Sequence, residues 1–117
     1  MLDCAPEAVV ERQIAAYRAR DAAAFAALYA PDAVLYEHPG VVMMRGRDEI
    51  ASKYAVTFAR NPDLRLTIET RIVNGDYVVD KEVLQSRQVT GYATAIYHVS
   101  NCLIDRVDFL PLVETAQ

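Results

Sequence analysis

The chain has 117 residues, 53% of them hydrophobic and 24% charged, a composition that excludes disorder and fits one globular domain over residues 1–117. Its net charge is −4, with Lys and Arg scattered along the chain, which argues against nucleic acid or an anionic membrane as a partner. No apolar run approaches the roughly 18 residues of a membrane helix and no basic-then-apolar leader opens the chain, so a cytoplasmic location is expected.

In chain order, Cys4 comes first; with Cys102 it lacks zinc-type spacing, and two free thiols are expected in a cytoplasmic protein. Pro6 suits the first turn of a helix, and Val9, Val10, Ile14 and Tyr17 recur at helical intervals over about 6 to 20. Asp21 can cap a second helix, Ala22 to Tyr29, which Pro31 helps to end. Ala33 to Tyr36 reads as a short strand broken by His38-Pro39-Gly40. Val41, Val42, Met43 and Met44 form an apolar run, read as packing or as a pocket lip. After Gly46, the spacing of Ile50, Tyr54 and Phe58 predicts a helix from Arg47 to Arg60, stopped by Asn61-Pro62.

From Leu64 the period becomes two, and Leu64, Leu66, Ile68 and Ile72 oppose Arg65, Thr67, Glu69 and Arg71. Asn74-Gly75 predicts a hairpin with a type I′ turn, returning as Tyr77 to Gln85. A turn over Gln88 to Gly91, a strand from Tyr92 to Ser100 and a last strand from Leu103 to Leu110 complete a meander. Helices followed by adjacent antiparallel strands give an α+β class, with the helices on one face of the sheet.

The segments Arg20-Asp21-Ala22, Leu28-Tyr29-Ala30-Pro31-Asp32-Ala33-Val34, Gly46-Arg47-Asp48-Glu49-Ile50 and Ile104-Asp105-Arg106-Val107-Asp108-Phe109, in this order, carry a resemblance that covers nearly the whole chain. It resembles the nuclear transport factor 2-like superfamily, which includes ketosteroid isomerase and the SnoaL-like polyketide cyclases. The resemblance implies a cone-shaped α+β barrel, N-terminal helices packed on a curved antiparallel sheet with an internal pocket. It also implies a cofactor-free enzyme and a base at Glu37, since the distance from Asp32-Ala33 to Gly46-Arg47 matches the ketosteroid isomerases without a gap. Their two oxyanion-hole positions correspond to Gln13, which can donate a hydrogen bond, and Ala95, which cannot.

Glu37 and His38, at the break after the first strand, are candidate catalytic groups: a carboxylate beside an apolar pocket is raised toward the range in which it can shuttle protons, and imidazole titrates near neutrality. The alternative is a solvated rim. Asp80 is the candidate second acid if its strand face is concave; otherwise Asp80, Lys81 and Glu82 are ordinary surface charge. Tyr17, Tyr54 and Tyr97 are candidate substrate contacts, because a buried phenol seeks a partner for its hydroxyl, and Gln13 joins them as the oxyanion contact that the resemblance implies. His98 is expected on the opposite face of the sheet. No phosphate loop, metal-spaced cluster or nucleophile elbow occurs, so no metal and no cofactor are expected.

These features lead to two expectations. One is general acid–base proton transfer on a small, largely apolar molecule, of isomerase, dehydratase, cyclase or epoxide hydrolase type. The other is a non-catalytic ligand-binding or dimerisation module. Apolar residues on both faces of Tyr77 to Leu84 and Tyr92 to Val99 suggest a homodimer formed through the sheet.

Overall fold

A computed structural model describes residues 3–116. Its elements are α1 (Pro6–Arg18), α2 (Ala22–Ala26), β1 (Tyr29–Glu37), β2 (Val41–Arg45), α3 (Arg47–Arg60), β3 (Arg65–Asn74), β4 (Tyr77–Gln85), β5 (Val89–Ser100), β6 (Leu103–Phe109) and β7 (Val113–Ala116). The strands form one curved, mostly antiparallel sheet in the order β2-β1-β6-β5-β4-β3, with β7 attached to β5. The α+β class is borne out. Among the described residues the end strands β2 and β3 do not pair, so the sheet is open where a closed barrel was expected.

Only β3 to β6 form the predicted meander. β1 lies parallel to β6, pairing Leu35 with Val107 and Glu37 with Phe109. That pairing also explains the early end of α2 at Ala26. The Leu28 carbonyl accepts from the Ile104 amide at 2.9 Å, which draws Tyr29 into a strand. Ala30, preceding Pro31, is disfavoured in helix anyway. Pro31 itself falls in the irregular stretch between Tyr29 and Val34, where no ladder needs its missing N–H.

α1 ends at Arg18, and Arg20 takes φ 55° to turn the chain. The Asp21 side chain then caps α2, accepting from the Ala24 amide at 3.0 Å. α3 has the predicted limits and buries Ile50 and Phe58. The β3–β4 hairpin forms as expected, but its register pairs Asn74 with Tyr77, so Gly75 and Asp76 are the central residues. Only Gly75, at φ 60°, is positive there, which is the pattern of a type II′ turn and not the expected I′. In the β5–β6 turn, by contrast, Asn101 and Cys102 are both positive, at φ 53° and 65°.

Cys102 in that turn is disulfide-bonded to Cys4, with Cα atoms 4.9 Å apart. The expectation of two free thiols is therefore corrected. Folding β6 between β1 and β5 carries the turn to the start of α1, a proximity that a sequence separation of 98 does not reveal. The bridge fixes the beginning of the helix that forms one wall of the core.

That core lies between the helices and the inner sheet face. Val9, Val10 and Ile14 of α1 are fully buried, as are Leu35, Ile50, Val78, Ala95, Ile104 and Val107. Phe25 sits at its centre, with ring centroids 4.4 Å from Tyr54 and 5.2 Å from Tyr29. Tyr17 meets Phe58 edge-on at 5.1 Å.

Candidate active site

The helices do not fill the concavity of the sheet, and a cavity of about 290 Å³ remains. Gln13, Ile14 and Tyr17 from α1, Phe25 from α2 and Tyr54 and Thr57 from α3 form its helical wall. Tyr29, Leu66, Glu82, Leu84, Ala93 and Tyr97 form the sheet wall. Exposed lining residues mark the mouth: Glu37 at the end of β1, Met43 in β2, and Leu110 and Leu112 after β6.

The alternation of β4 decides which acids face inward. Val78, Asp80 and Glu82 are buried, opposite Tyr97, Ala95 and Ala93 of β5. Asp80 does not reach the cavity as a free acid. Its two oxygens accept from Arg71 Nε at 2.7 Å and Nη2 at 2.9 Å, and Arg71 Nη1 reaches Glu11 Oε1 of α1 at 2.5 Å. Asp80, one of the predicted catalytic groups, is thus committed to an ion-pair chain joining α1, β3 and β4.

Glu82, two residues on, lines the cavity with only 6% of its surface exposed. Its Oε2 accepts from the Tyr97 hydroxyl at 2.9 Å. Burial pushes its carboxyl from the ordinary 4.5 up to about 7, and the nearby Asp80 charge adds to the rise; the Tyr97 hydrogen bond and Arg71 oppose it. Tyr97 is raised well above 10, first by burial and then by the Glu82 charge, so it serves as a neutral donor. Tyr17 rises to about 12 for the same two reasons.

Gln13 is 3% exposed, and its Oε1 has no hydrogen-bond partner. That oxygen is itself fully buried, so it is not the atom Gln13 offers to the cavity it lines. Of the remaining predicted positions, Tyr17, Tyr54 and Tyr97 line the cavity, as does Glu37 at the exposed mouth. His38 does not line it: its side chain is exposed, and its amide donates to the Phe109 carbonyl at 2.7 Å while the chain turns through a cis His38–Pro39 bond and Gly40. His98 sits on the other sheet face, with Nδ1 2.6 Å from Asp105 Oδ1 and its ring 4.8 Å from Tyr77. Among the described residues no group of three or more His, Cys, Asp or Glu is gathered as a metal site.

Glu82 is the buried cavity acid that the sequence does not single out as a candidate. The opposite face of β4, with Tyr77, Val79 and Val83, is the more apolar and so looks like the buried one. The signal that identifies the inner face is the pairing of β4 with β5, where Tyr97 shares a rung with Val78 and Ala93 with Glu82. Small residues opposite both acids leave the Tyr97 ring room to extend along the sheet toward Glu82.

Solved structures share this architecture. A cystatin fold protein from Novosphingobium aromaticivorans superposes with TM-score 0.84 at 23% identity, covering 92% of this chain and 98% of that one. An NTF2-like protein from Cytophaga hutchinsonii gives 0.74 at 12%, covering 89% and 87%. IdmH from Streptomyces antibioticus, described as a candidate polyketide cyclase, gives 0.75 at 18%, covering 93% and 91%. At these identities the likeness establishes the fold. A sequence comparison with curated proteins returns no match. The model of the SnoaL-like domain matches residues 10–107, and the chain belongs to that family.

Proposed function

We propose that the protein is a cofactor-free enzyme that moves a proton on a small, largely apolar carbonyl compound, in an isomerisation, dehydration or cyclisation. The observation that carries this reading is Glu82, a carboxyl group raised to about 7 and held by Tyr97 inside an aromatic-walled cavity. A group titrating near the operating pH can both give and take a proton, which is where general acid–base catalysis is most effective.

In this scheme Glu37 at the mouth removes a proton from carbon next to the substrate carbonyl. Protonated Glu82 donates to the oxygen on which charge develops, and Gln13 donates a hydrogen bond to the same oxygen. The candidate cyclase IdmH on the same fold supports this reaction class. The test is deuterium uptake from solvent at the α-carbon of an enolisable ketone, followed by NMR. Glu82→Gln should lose at least about 100-fold in rate; full retained exchange would overturn the assignment.

A second reading, a binding or dimerisation module, is favoured by the outer sheet face. Ile72, Tyr77, Tyr92 and Val113 stand 58%, 48%, 38% and 59% exposed there, and we infer that a second copy covers them. Light scattering that gives the mass of one chain would remove this dimer. No helix among the described residues is long and apolar enough to cross a membrane, and a cytoplasmic location is proposed from the acidic, scattered surface charge. A Cys4–Cys102 bridge found intact in rapidly quenched cells would instead place the protein in an oxidising compartment.

A further inference from the structure

We propose that Leu112 sets the width of the cavity's mouth, placed there by an extra residue in the chain between β6 and β7 and seated on Gly91. Leu112 has this role whether the cavity catalyses or only binds, so it goes beyond the acid–base reading.

β6 and β7 both run antiparallel to β5 and form, in effect, one interrupted strand. Phe109 pairs with Ala95 at the end of β6, and Val113 pairs with Tyr92 at the start of β7. Leu110, Pro111 and Leu112 therefore stand opposite Ala93 and Thr94, three residues against two. The Leu110 amide still donates to the Thr94 carbonyl at 2.9 Å, but Pro111 has no N–H with which to continue a ladder. An extra residue of this kind reverses the face on which the following side chains fall. Phe109 lines the cavity, whereas Val113 stands exposed beside Tyr92 on the outer face; on a regular strand the two would share a face. The reversal falls where it brings both Leu110 and Leu112 to the cavity.

Gly91 then receives the Leu112 side chain. It is buried on the inner face of β5, two residues before the cavity-lining Ala93, and pairs with Leu84, which also lines the cavity. A methyl group at Gly91 would stand 3.2 Å from Leu112 Cδ1 and 3.8 Å from its Cγ and Cδ2, so the leucine lies over bare backbone. Gly91 is not among the glycines with positive φ, so backbone conformation does not call for glycine there; room for Leu112 does. Leu112 is 48% exposed while it lines the cavity, with one side toward the interior and the other toward solvent. A side chain so placed is one that an entering molecule has to pass, and an exposed leucine changes rotamer quickly enough to let it.

Stopped-flow fluorescence of the full chain with N-phenyl-1-naphthylamine, a neutral apolar probe, tests this. A wider mouth speeds entry and exit alike, so Leu112→Ala should raise both rates about three- to tenfold and change Kd by less than about threefold. Leu112→Phe should slow both. Gly91→Ala displaces Leu112 and should shift both rates by at least about threefold, yet leave them unchanged in the Leu112→Ala background. Val113→Ala, on the outer face, should leave them unchanged. Unaltered rates in Leu112→Ala, a change in its dissociation rate alone, an equal change in Val113→Ala, or no uptake of the probe by any variant would overturn the role of Leu112. An equal effect of Gly91→Ala with and without the leucine would overturn the seat. Should Gly91→Ala fail to fold, the double variant with Leu112→Ala decides: a recovered melting temperature supports the seat, and no recovery overturns it. No turnover is read, so these outcomes are separate from the fate of the Glu82 assignment.

Discussion

The Tyr97 hydroxyl donates to Glu82 Oε2 at 2.9 Å, joining β5 to β4 within the cavity wall. This hydrogen bond favours the charged carboxylate and partly offsets its burial. Removing the hydroxyl with Tyr97→Phe should raise the Glu82 pKa further. The limb of the deuterium-exchange rate profile that reports Glu82 should then move to higher pH. An unmoved limb would show that the phenol does not tune the acid.

Glu82 also makes stability depend on pH. Its folded pKa of about 7 exceeds the ordinary 4.5, so between these values the native state holds a proton that the unfolded chain has released. Stability is therefore greatest below about pH 4.5 as far as this group is concerned, falls as pH rises to about 7, and stays reduced above it. The loss is on the order of 3 kcal/mol. Glu82→Gln removes it, so the variant should melt about 10 °C above the unmodified protein at about pH 8, with the gap closing near pH 4.5. Parallel melting curves across that window would contradict the sign.

The bidentate Arg71–Asp80 pair makes a different prediction. Asp80 is fully buried, and Arg71→Met would leave its charge without compensation at a cost of about 3–5 kcal/mol. Replacing both, as Arg71→Met with Asp80→Leu, should recover most of that loss. Urea midpoints for the two single variants and the double variant test the coupling; additive losses would dissolve it.

Cys4–Cys102 closes a loop across 98 residues of sequence, for which chain-entropy reasoning gives about 4–5 kcal/mol of stabilisation. Cys102→Ser and the dithiothreitol-reduced protein should lose similar stability. A melting temperature indifferent to reductant would show that the fold does not depend on the bridge.

Glu37 is exposed at the mouth and makes no side-chain hydrogen bond among the described residues. Glu37→Gln should reduce deuterium exchange by about 100-fold or more while shifting the melting temperature by less than about 2 °C. Unchanged exchange would return Glu37 to a solvated rim.

Local chemistry made much of this fold legible. The spacing of Ile50, Tyr54 and Phe58, with Pro62 beyond, set the limits of α3, and the alternation after Leu64 announced the sheet. Helical spacing puts Tyr17 and Tyr54 on inward faces, whereas Gln13 and Tyr97 come to the cavity through the family resemblance. Helical and strand periods act over a few residues, so the sequence by itself determined the elements and the faces they set.

Long-range pairing decided the rest. Whether β1 joins β6, whether Cys102 meets Cys4, and whether Asp80 or Glu82 keeps a free carboxyl all depend on which distant segments become neighbours. Asp80 and Glu82 share one strand face and similar chemistry. Arg71, across the hairpin, engages Asp80, while Tyr97, from the other side, reaches Glu82. The tertiary structure alone makes one acid an ion-pair partner and the other a desolvated carboxyl hydrogen-bonded in the cavity wall, because desolvation and hydrogen bonding are properties of surroundings and not of sequence position.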